Sequence, residues 1–188
     1  MLGFEELLSA HILSPEFGTA PYQQSFRPRP HISKMKVEAH GACAYLAAGS
    51  GIAAQLTPTG AAFVAAASLA NELFATVYDV NTTRIAAYRA QPADANATAF
   101  IERFVAQQRN ANLEARLIGL QNHASFALVA ELARTLMRHR IPLVEVDLFG
   151  TLMRHICIEV RTGSSLNILM ENRLYKPGEL DTHAPARR

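Results

Sequence analysis

The segment from Leu113 to Met170 constrains the fold of this chain more than any other part of its sequence. Its first run, Leu113 to Gly119, is short and largely apolar and is predicted to be a strand. Apolar residues then recur at helical spacing and mark the buried face of a helix; they are Leu128, Val129, Leu132 and Leu136. This helix must end before Pro142, because a residue that precedes proline disfavours helical geometry.

Three further strands are predicted in the rest of that segment. Leu143 to Leu148 and Ile156 to Val160 alternate or run apolar, and the turn-forming residues Thr162 to Ser165 lead the chain into Leu166 to Met170. Strand, helix and strands in this order predict an α/β (α+β) fold, in which a mixed sheet carries helices on it.

Two more elements are predicted upstream. Leu73 to Tyr78 and Arg84 to Ala90 are apolar runs joined by turn-forming Asp and Asn residues, which indicates a hairpin. A second principal helix, with Asn96 or Thr98 as its N-cap, is predicted from apolar residues at helical spacing, namely Phe100, Ile101, Phe104 and Val105. Small side chains leave both helix and strand open for Gly60 to Asn71.

Length and composition predict one domain. A chain of 188 residues with 49% apolar residues has enough material for one core, which we place in residues 35–176. Residues 1–34 are interrupted by prolines and are predicted to be a flexible N-terminal extension, with a solvated linker at Arg27 to His31. Residues 177–188 are predicted to be a flexible C-terminal tail.

Charge and cysteine content narrow the partners and the compartment. Eighteen basic and sixteen acidic residues give a net charge of +2, which is too balanced for the basic face that nucleic acid requires. The least charged stretch, Gly60 to Asn71, has about twelve residues, whereas a membrane-spanning helix needs roughly twenty. Two distant cysteines, and Glu5 and Glu6 where a signal peptide would be basic and apolar, lead us to expect a cytoplasmic protein with neither a nucleic-acid nor a membrane partner.

Two patterns that suggest a cofactor fail on spacing. Gly49 to Ala54 matches a loose dinucleotide fingerprint, but Pro58 leaves too little room for the helix that must follow, so a glycine turn between packed segments is favoured. Zinc needs about four ligands in short recurring spacings, and only His40 and Cys43 form a local pair. We therefore expect neither a metal nor another cofactor.

Cys43 is the natural candidate for a nucleophile, because Cys157 lies in an apolar strand and is expected in the core. His40 precedes Cys43 by three residues, a spacing that puts the two side chains on opposite faces of a strand. His123 would have to be brought to Cys43 by the fold. The alternative is that Cys43 is a small buried hydrophobic residue, and both interpretations stay open.

Two runs of the sequence, LEARLIG at Leu113–Gly119 and IPLVEVDLFGTLMRHI at Ile141–Ile156, resemble CheD, the chemoreceptor glutamine deamidase family of bacterial chemotaxis. In that family a Leu-Glu-Ala-Lys strand leads into a glycine turn and a helix, and an Ile-Pro segment with Glu-Asp, Gly-Gly-Thr and Arg follows. Thr162-Gly163 also matches the closing hairpin of the family. The resemblance covers Leu113 to Met170 and implies the CheD fold for the whole domain.

The resemblance also implies where catalytic residues should lie. The family has a Gly-Ser-Cys that opens a strand ending in Asp, and a His on the next strand about seventeen residues after the Cys. If Asp79 is that Asp, Glu72 stands at the position of the cysteine and Arg89 at the position of the histidine. Glu is a poor acyl-transfer nucleophile toward an amide, and Arg cannot act as a base because it stays protonated.

A rival register takes Gly41-Ala42-Cys43 as the family's Gly-Ser-Cys, which restores the nucleophile but finds Gly60 at the position of the histidine. We prefer the first register, because it needs only a shortened loop. A further departure is Gly119-Leu120-Gln121-Asn122, where the family usually has two glycines and a small residue. The positions that we assign to a pocket or a partner surface are Asp147, Thr151 and Arg154.

The sequence therefore predicts a CheD-like domain that has lost or remodelled its deamidase centre. We expect it to bind another protein, a chemoreceptor or a CheC-type phosphatase, as the resemblance implies. The alternative is an active protein-glutamine deamidase that uses Cys43, with His40 or His123 as its base. A third possibility is a deamidase-like effector, for which residues 1–34 would be the delivery segment.

Overall fold

The structure is a computed structural model that describes residues 22–25, 43–55, 61–108, 111–121, 126–149 and 153–170. In these ranges the chain forms ten strands and two helices. In chain order they are β1 (Tyr22–Ser25), β2 (Cys43–Tyr45), β3 (Ser50–Gln55), β4 (Phe63–Leu69), β5 (Leu73–Asp79), β6 (Arg84–Ala90), α1 (Asn96–Ala106), β7 (Leu113–Gly119), α2 (Phe126–Arg138), β8 (Leu143–Leu148), β9 (Met153–Glu159) and β10 (Ser165–Met170).

The strands are divided between two sheets. The first has six strands in the order β1-β8-β7-β5-β6-β3, and the second has four in the order β10-β9-β4-β2. Each is mixed, because β7 and β8 are parallel in the first and β2 and β4 are parallel in the second, while the other pairs are antiparallel. The predicted α+β class with two helices is thus confirmed.

The six-stranded sheet is the middle of three layers. All seven residues of β5 are buried, because successive side chains of a strand point to opposite faces and both faces are covered. Leu73 and Val77 pack in the core beneath α1 and α2, whereas Phe74 and Tyr78 pack in the core shared with the four-stranded sheet. Full burial of such a side chain stabilises the fold by roughly 1.5–3 kcal/mol.

The turn between β9 and β10, in the four-stranded sheet, packs against β5 of the six-stranded sheet. Gly163 has a φ of 64° and lies against the ring of Tyr78, where an added Cβ would come within 2.6 Å of the ring. The hydroxyl of Tyr78 donates a hydrogen bond of 3.1 Å to the carbonyl of Arg161. Only glycine combines this backbone conformation with so close an approach.

Several predicted elements are confirmed with nearly the predicted bounds. The hairpin is β5 and β6, the Leu113 strand is β7, and α2 ends at Arg138, before Pro142. The segment left open between helix and strand contains β4. Gly49 has a φ of 71° in a turn, and a strand follows it, as expected for a glycine turn and not for a nucleotide-binding helix.

Two local predictions were wrong and one strand was not foreseen. Neither Asn96 nor Thr98 is the N-cap of α1: Ala95 holds that position, and because its methyl side chain cannot accept a hydrogen bond, the Asp94 carboxylate accepts the N–H of Asn96 at 2.9 Å instead. Cys157 is only partly buried, since its neighbours in β9 face the inter-sheet core. Strand β1 lies inside the predicted N-terminal extension and pairs with β8.

Candidate functional site

The candidate site lies at one end of the six-stranded sheet. Strand β5 begins there, and because it is antiparallel to β6 and β7, both of those strands end there. Strand β8 runs parallel to β7, so it also finishes at this end of the sheet. The residues that the CheD resemblance singles out, Glu72 before β5 and Arg89 near the end of β6, are therefore brought to one place.

Glu72 and Arg89 form an ion pair. The Nε of Arg89 donates to Oε2 of Glu72 at 2.9 Å, and Nη2 of Arg89 donates to the same oxygen at 2.5 Å. The two side chains are 18% and 16% exposed, respectively. Leu73 and Ala90, their neighbours in the chain, face the helical core, so by the alternation of strands Glu72 and Arg89 lie on the side of the four-stranded sheet.

The ion pair is held by the surrounding backbone. Nη1 of Arg89 donates to the carbonyl of Leu46 at 3.1 Å, just beyond β2, and the carbonyl of Arg89 accepts from Gly49 at 2.7 Å. On the other side, the carbonyl of Glu72 accepts the N–H of Leu120 at 2.9 Å. Both charged residues are thus fixed by main-chain contacts as well as by each other.

Gly119 allows this close approach. Its φ is 124°, and a Cβ added there would lie 2.1 Å from the carbonyl oxygen of Glu72. A side chain at this position would displace the start of β5. The end of β7 therefore sets the position of Glu72, and glycine is required for both its backbone conformation and the space it leaves.

Asp147 and Arg154, two predicted pocket or partner positions, form a second ion pair. Nη2 of Arg154 donates to Oδ1 of Asp147 at 2.8 Å and also to the carbonyl of Phe149. Both side chains are almost fully buried, and they connect β8 of one sheet to β9 of the other. Since burial keeps these two side chains from contact with a partner, we interpret the pair as a structural link between the two sheets.

Cys43 lies on a different face from the Glu72–Arg89 pair. It pairs with Phe63 in β4, while Val64 and Ala66 of that strand face the inter-sheet core, so Cys43 points to the outer face of the four-stranded sheet. Cys157, which pairs with Ala65, points the same way.

The environment of the two thiols does not favour a thiolate. Burial raises the pKa of Cys43 above its ordinary value, although side-chain hydrogen bonds with Tyr45 and Cys157 oppose the shift. Burial, followed by the proximity of Cys43, raises the pKa of Cys157 to about 12. A cysteine nucleophile needs the opposite shift.

The remaining predicted site residues, His40, His123 and Thr151, lie outside the described residues. Within the described ranges, no group of three or more His, Cys, Asp and Glu side chains has the arrangement of a metal site. None of the helices described is long and apolar enough to cross a membrane.

Sequence reasoning missed a polar network near the predicted pocket. Arg116 donates to Glu145 at 3.2 Å and to the carbonyl of Gly163 at 2.6 Å, and Ser165 donates to the same Glu145 oxygen at 2.6 Å. This network joins β7 and β8 to the four-stranded sheet. Its one sequence signal was Arg116 between apolar residues of a strand, since a buried arginine must have charged or polar partners.

The fold and site define a three-layer α+β domain with a half-buried ion pair at one end of its central sheet. Comparison with protein-family models and with curated proteins finds no match for this chain. Its function is therefore inferred from the site.

Proposed function

We propose that this chain is a CheD-like domain without deamidase activity that acts by binding a protein partner. The observation that supports the proposal is the Glu72–Arg89 ion pair, whose two residues lie at the positions of the family's Cys and His in the preferred register. The pair offers no thiol nucleophile, and the guanidinium at the position of the histidine has only hydrogen-bond donors and cannot take a proton from one. It offers instead a fixed pair of charges, partly open to solvent, for recognition.

Glu72 and Arg89 resemble a nucleophile and its base in their positions, but not in their chemistry. A nucleophile and its base must lie within hydrogen-bond reach of each other, and Glu72 and Arg89 do so across a hairpin. Each has the wrong chemistry for its role, but each satisfies the other. The part of each charge that stays open to solvent is what a partner would contact, and the partners proposed are a chemoreceptor or a CheC-type phosphatase.

Absence of catalysis is tested with receptor cytoplasmic fragments. The protein is incubated with them, an active CheD serves as positive control, and mass spectrometry follows the conversion of Gln to Glu. We expect conversion with the control alone. Conversion by this chain that disappears in Cys43→Ala would establish the alternative, a deamidase that uses Cys43.

Binding is tested by calorimetry with the same fragments and with a CheC-type phosphatase. Glu72→Ala/Arg89→Ala removes both charges together and is expected to weaken binding at least tenfold. The matched control, Glu159→Ala/Arg161→Ala, removes one charge of each sign at the turn between β9 and β10 and should bind normally. If neither protein binds the unmodified chain, or if both double variants bind equally well, the proposal is wrong.

A further inference from the structure

A second surface, at the C-terminal end of α2, is the most basic exposed feature of the two described helices. It consists of Arg134, Met137, Arg138, His139 and Arg140, all of them exposed, and we call it the α2 surface. Met137 is 42% exposed and is one of two large hydrophobic side chains that the described residues expose. Arginine and methionine are both enriched in protein interfaces relative to the rest of the surface, so the composition of the α2 surface fits a docking site.

Arg140 occupies a backbone position that favours glycine. α2 ends in a Schellman motif, in which the N–H of Ile141 donates to the carbonyl of Leu136 at 2.9 Å and that of Arg140 to the carbonyl of Met137 at 2.9 Å. In this motif the residue after the cap is left-handed, and Arg140 has a φ of 55°. Glycine would be more stable there, so the fold alone does not account for an arginine.

The stability of α2 does not require the other two arginines of the α2 surface, Arg134 and Arg138, either. Arg134 and Arg138 are one turn apart, and like charges at that spacing repel. Arg138 pairs with Glu102 of α1 at 2.8 Å, and Glu131 lies one turn before Arg134. Neither Arg134 nor Arg140 forms an ion pair with a described residue. One positive charge in the last turn would be enough to favour the helix dipole.

We propose that the α2 surface binds an acidic segment of a protein partner. Carboxylates of that segment would pair with Arg134 and Arg140, since Arg138 already pairs with Glu102, and an apolar side chain would cover Met137, whose flexible thioether adapts to varied shapes. A protein segment is favoured over nucleic acid because the chain is nearly neutral, with a net charge of +2, and the surface has an apolar residue among its charges. The proposal does not depend on the Glu72–Arg89 site, which lies between the two sheets, on the opposite face of the six-stranded sheet from α2.

The probe is a fluorescein-labelled helical peptide with glutamates four residues apart around a leucine, followed by fluorescence anisotropy with the full chain. Arg140→Gly is the critical variant, because it removes the charge and relieves the backbone, so weaker binding cannot result from unfolding. We expect Arg140→Gly to weaken binding about three- to fivefold and Arg134→Gln/Arg140→Gly about tenfold or more. Arg161→Gln, which removes an exposed arginine elsewhere, should bind normally.

Two results would overturn the proposal. One is an Arg140→Gly variant that binds the peptide as tightly as the unmodified chain does. The other is a duplex oligonucleotide, or vesicles of phosphatidylglycerol, that bind more tightly than the peptide and lose affinity in the same variants. That second result would assign the surface to phosphate groups instead of an acidic protein segment.

Discussion

The Glu72–Arg89 ion pair makes a quantitative prediction about stability. At an effective dielectric constant of about 20 and a charge separation of about 4 Å, two unit charges attract by roughly 4 kcal/mol. The two side chains are only 18% and 16% exposed, so desolvation and lost side-chain entropy offset part of this attraction. We expect a coupling free energy of about 2 kcal/mol, above the range of exposed pairs and below the cost of breaking a fully buried one.

The assay is a double-mutant cycle of Glu72→Ala and Arg89→Ala, with the free energy of unfolding measured in urea. Glu72→Ala alone should destabilise the fold by about 2–3 kcal/mol, because it leaves the guanidinium half-buried beside the Leu46 carbonyl. The double variant should lose clearly less than the sum of the two single variants. Added salt should reduce the coupling only partly, since buried charges are weakly screened.

The chain contains a matched control for this cycle. The Glu102–Arg138 pair between α1 and α2 has a similar N–O distance of 2.8 Å, but its side chains are 38% and 65% exposed. Its coupling should stay below about 0.5 kcal/mol and vanish in high salt. If the Glu72–Arg89 coupling is no larger than that of this control, the half-buried site we describe does not stabilise the fold as argued.

Four further outcomes are expected. Gly119→Ala should destabilise the fold by about 3 kcal/mol in urea titration, because the new Cβ meets a carbonyl 2.1 Å away at a φ of 124°; a loss under about 1 kcal/mol would contradict this. Asp147→Ala should cost about 3–5 kcal/mol, since it removes the carboxylate partner of a buried guanidinium. Arg140→Gly should raise the free energy of unfolding by about 1 kcal/mol and the melting temperature by about 3 °C, because it relieves the left-handed backbone of Arg140. An unchanged melting temperature would show that the arginine is not strained at this position. The Cys157 thiol, with its pKa at about 12, should be alkylated by iodoacetamide far more slowly in the folded chain than in urea at pH 8. Because the folded state favours the neutral Cys157 thiol, this thiol contributes to the free energy of unfolding. The contribution should be fully present below the ordinary thiol pKa and should be lost as the pH rises toward 12.

The elements that the sequence predicted well are those with strong local patterns. β7 and β8 have the predicted bounds, and α2 ends before Pro142 as expected, because an apolar run or a helical stripe next to a clear stop signal is decided locally. β4 is rich in alanine, whose small side chain gives little periodicity, so its strand form depends on its neighbours. β1 adds to an edge by backbone pairing, which no side-chain pattern reveals.

The site was predicted only in part, for a different physical reason. The hairpin of β5 and β6 could be foreseen, and with it the placement of Glu72 and Arg89 near one end. Their contact, however, depends on which face each side chain takes and on the space left by Gly119, neither of which appears in a local pattern. Asp147 and Arg154 were predicted as pocket or partner positions; the sequence did not predict that they form an ion pair buried between the sheets.

The two residues of the ion pair depend on each other, and this bears on the proposed function. A half-buried carboxylate or guanidinium alone is destabilising, whereas the pair compensates both charges. Under the proposed function, Glu72→Cys or Arg89→His alone would leave one charge without its partner, and a cysteine beside Arg89 would still lack a base. Only the two changes together would place a thiol and an imidazole at these positions. Because each single change leaves one half-buried charge uncompensated, the stability of the fold favours keeping both residues of the pair or changing both.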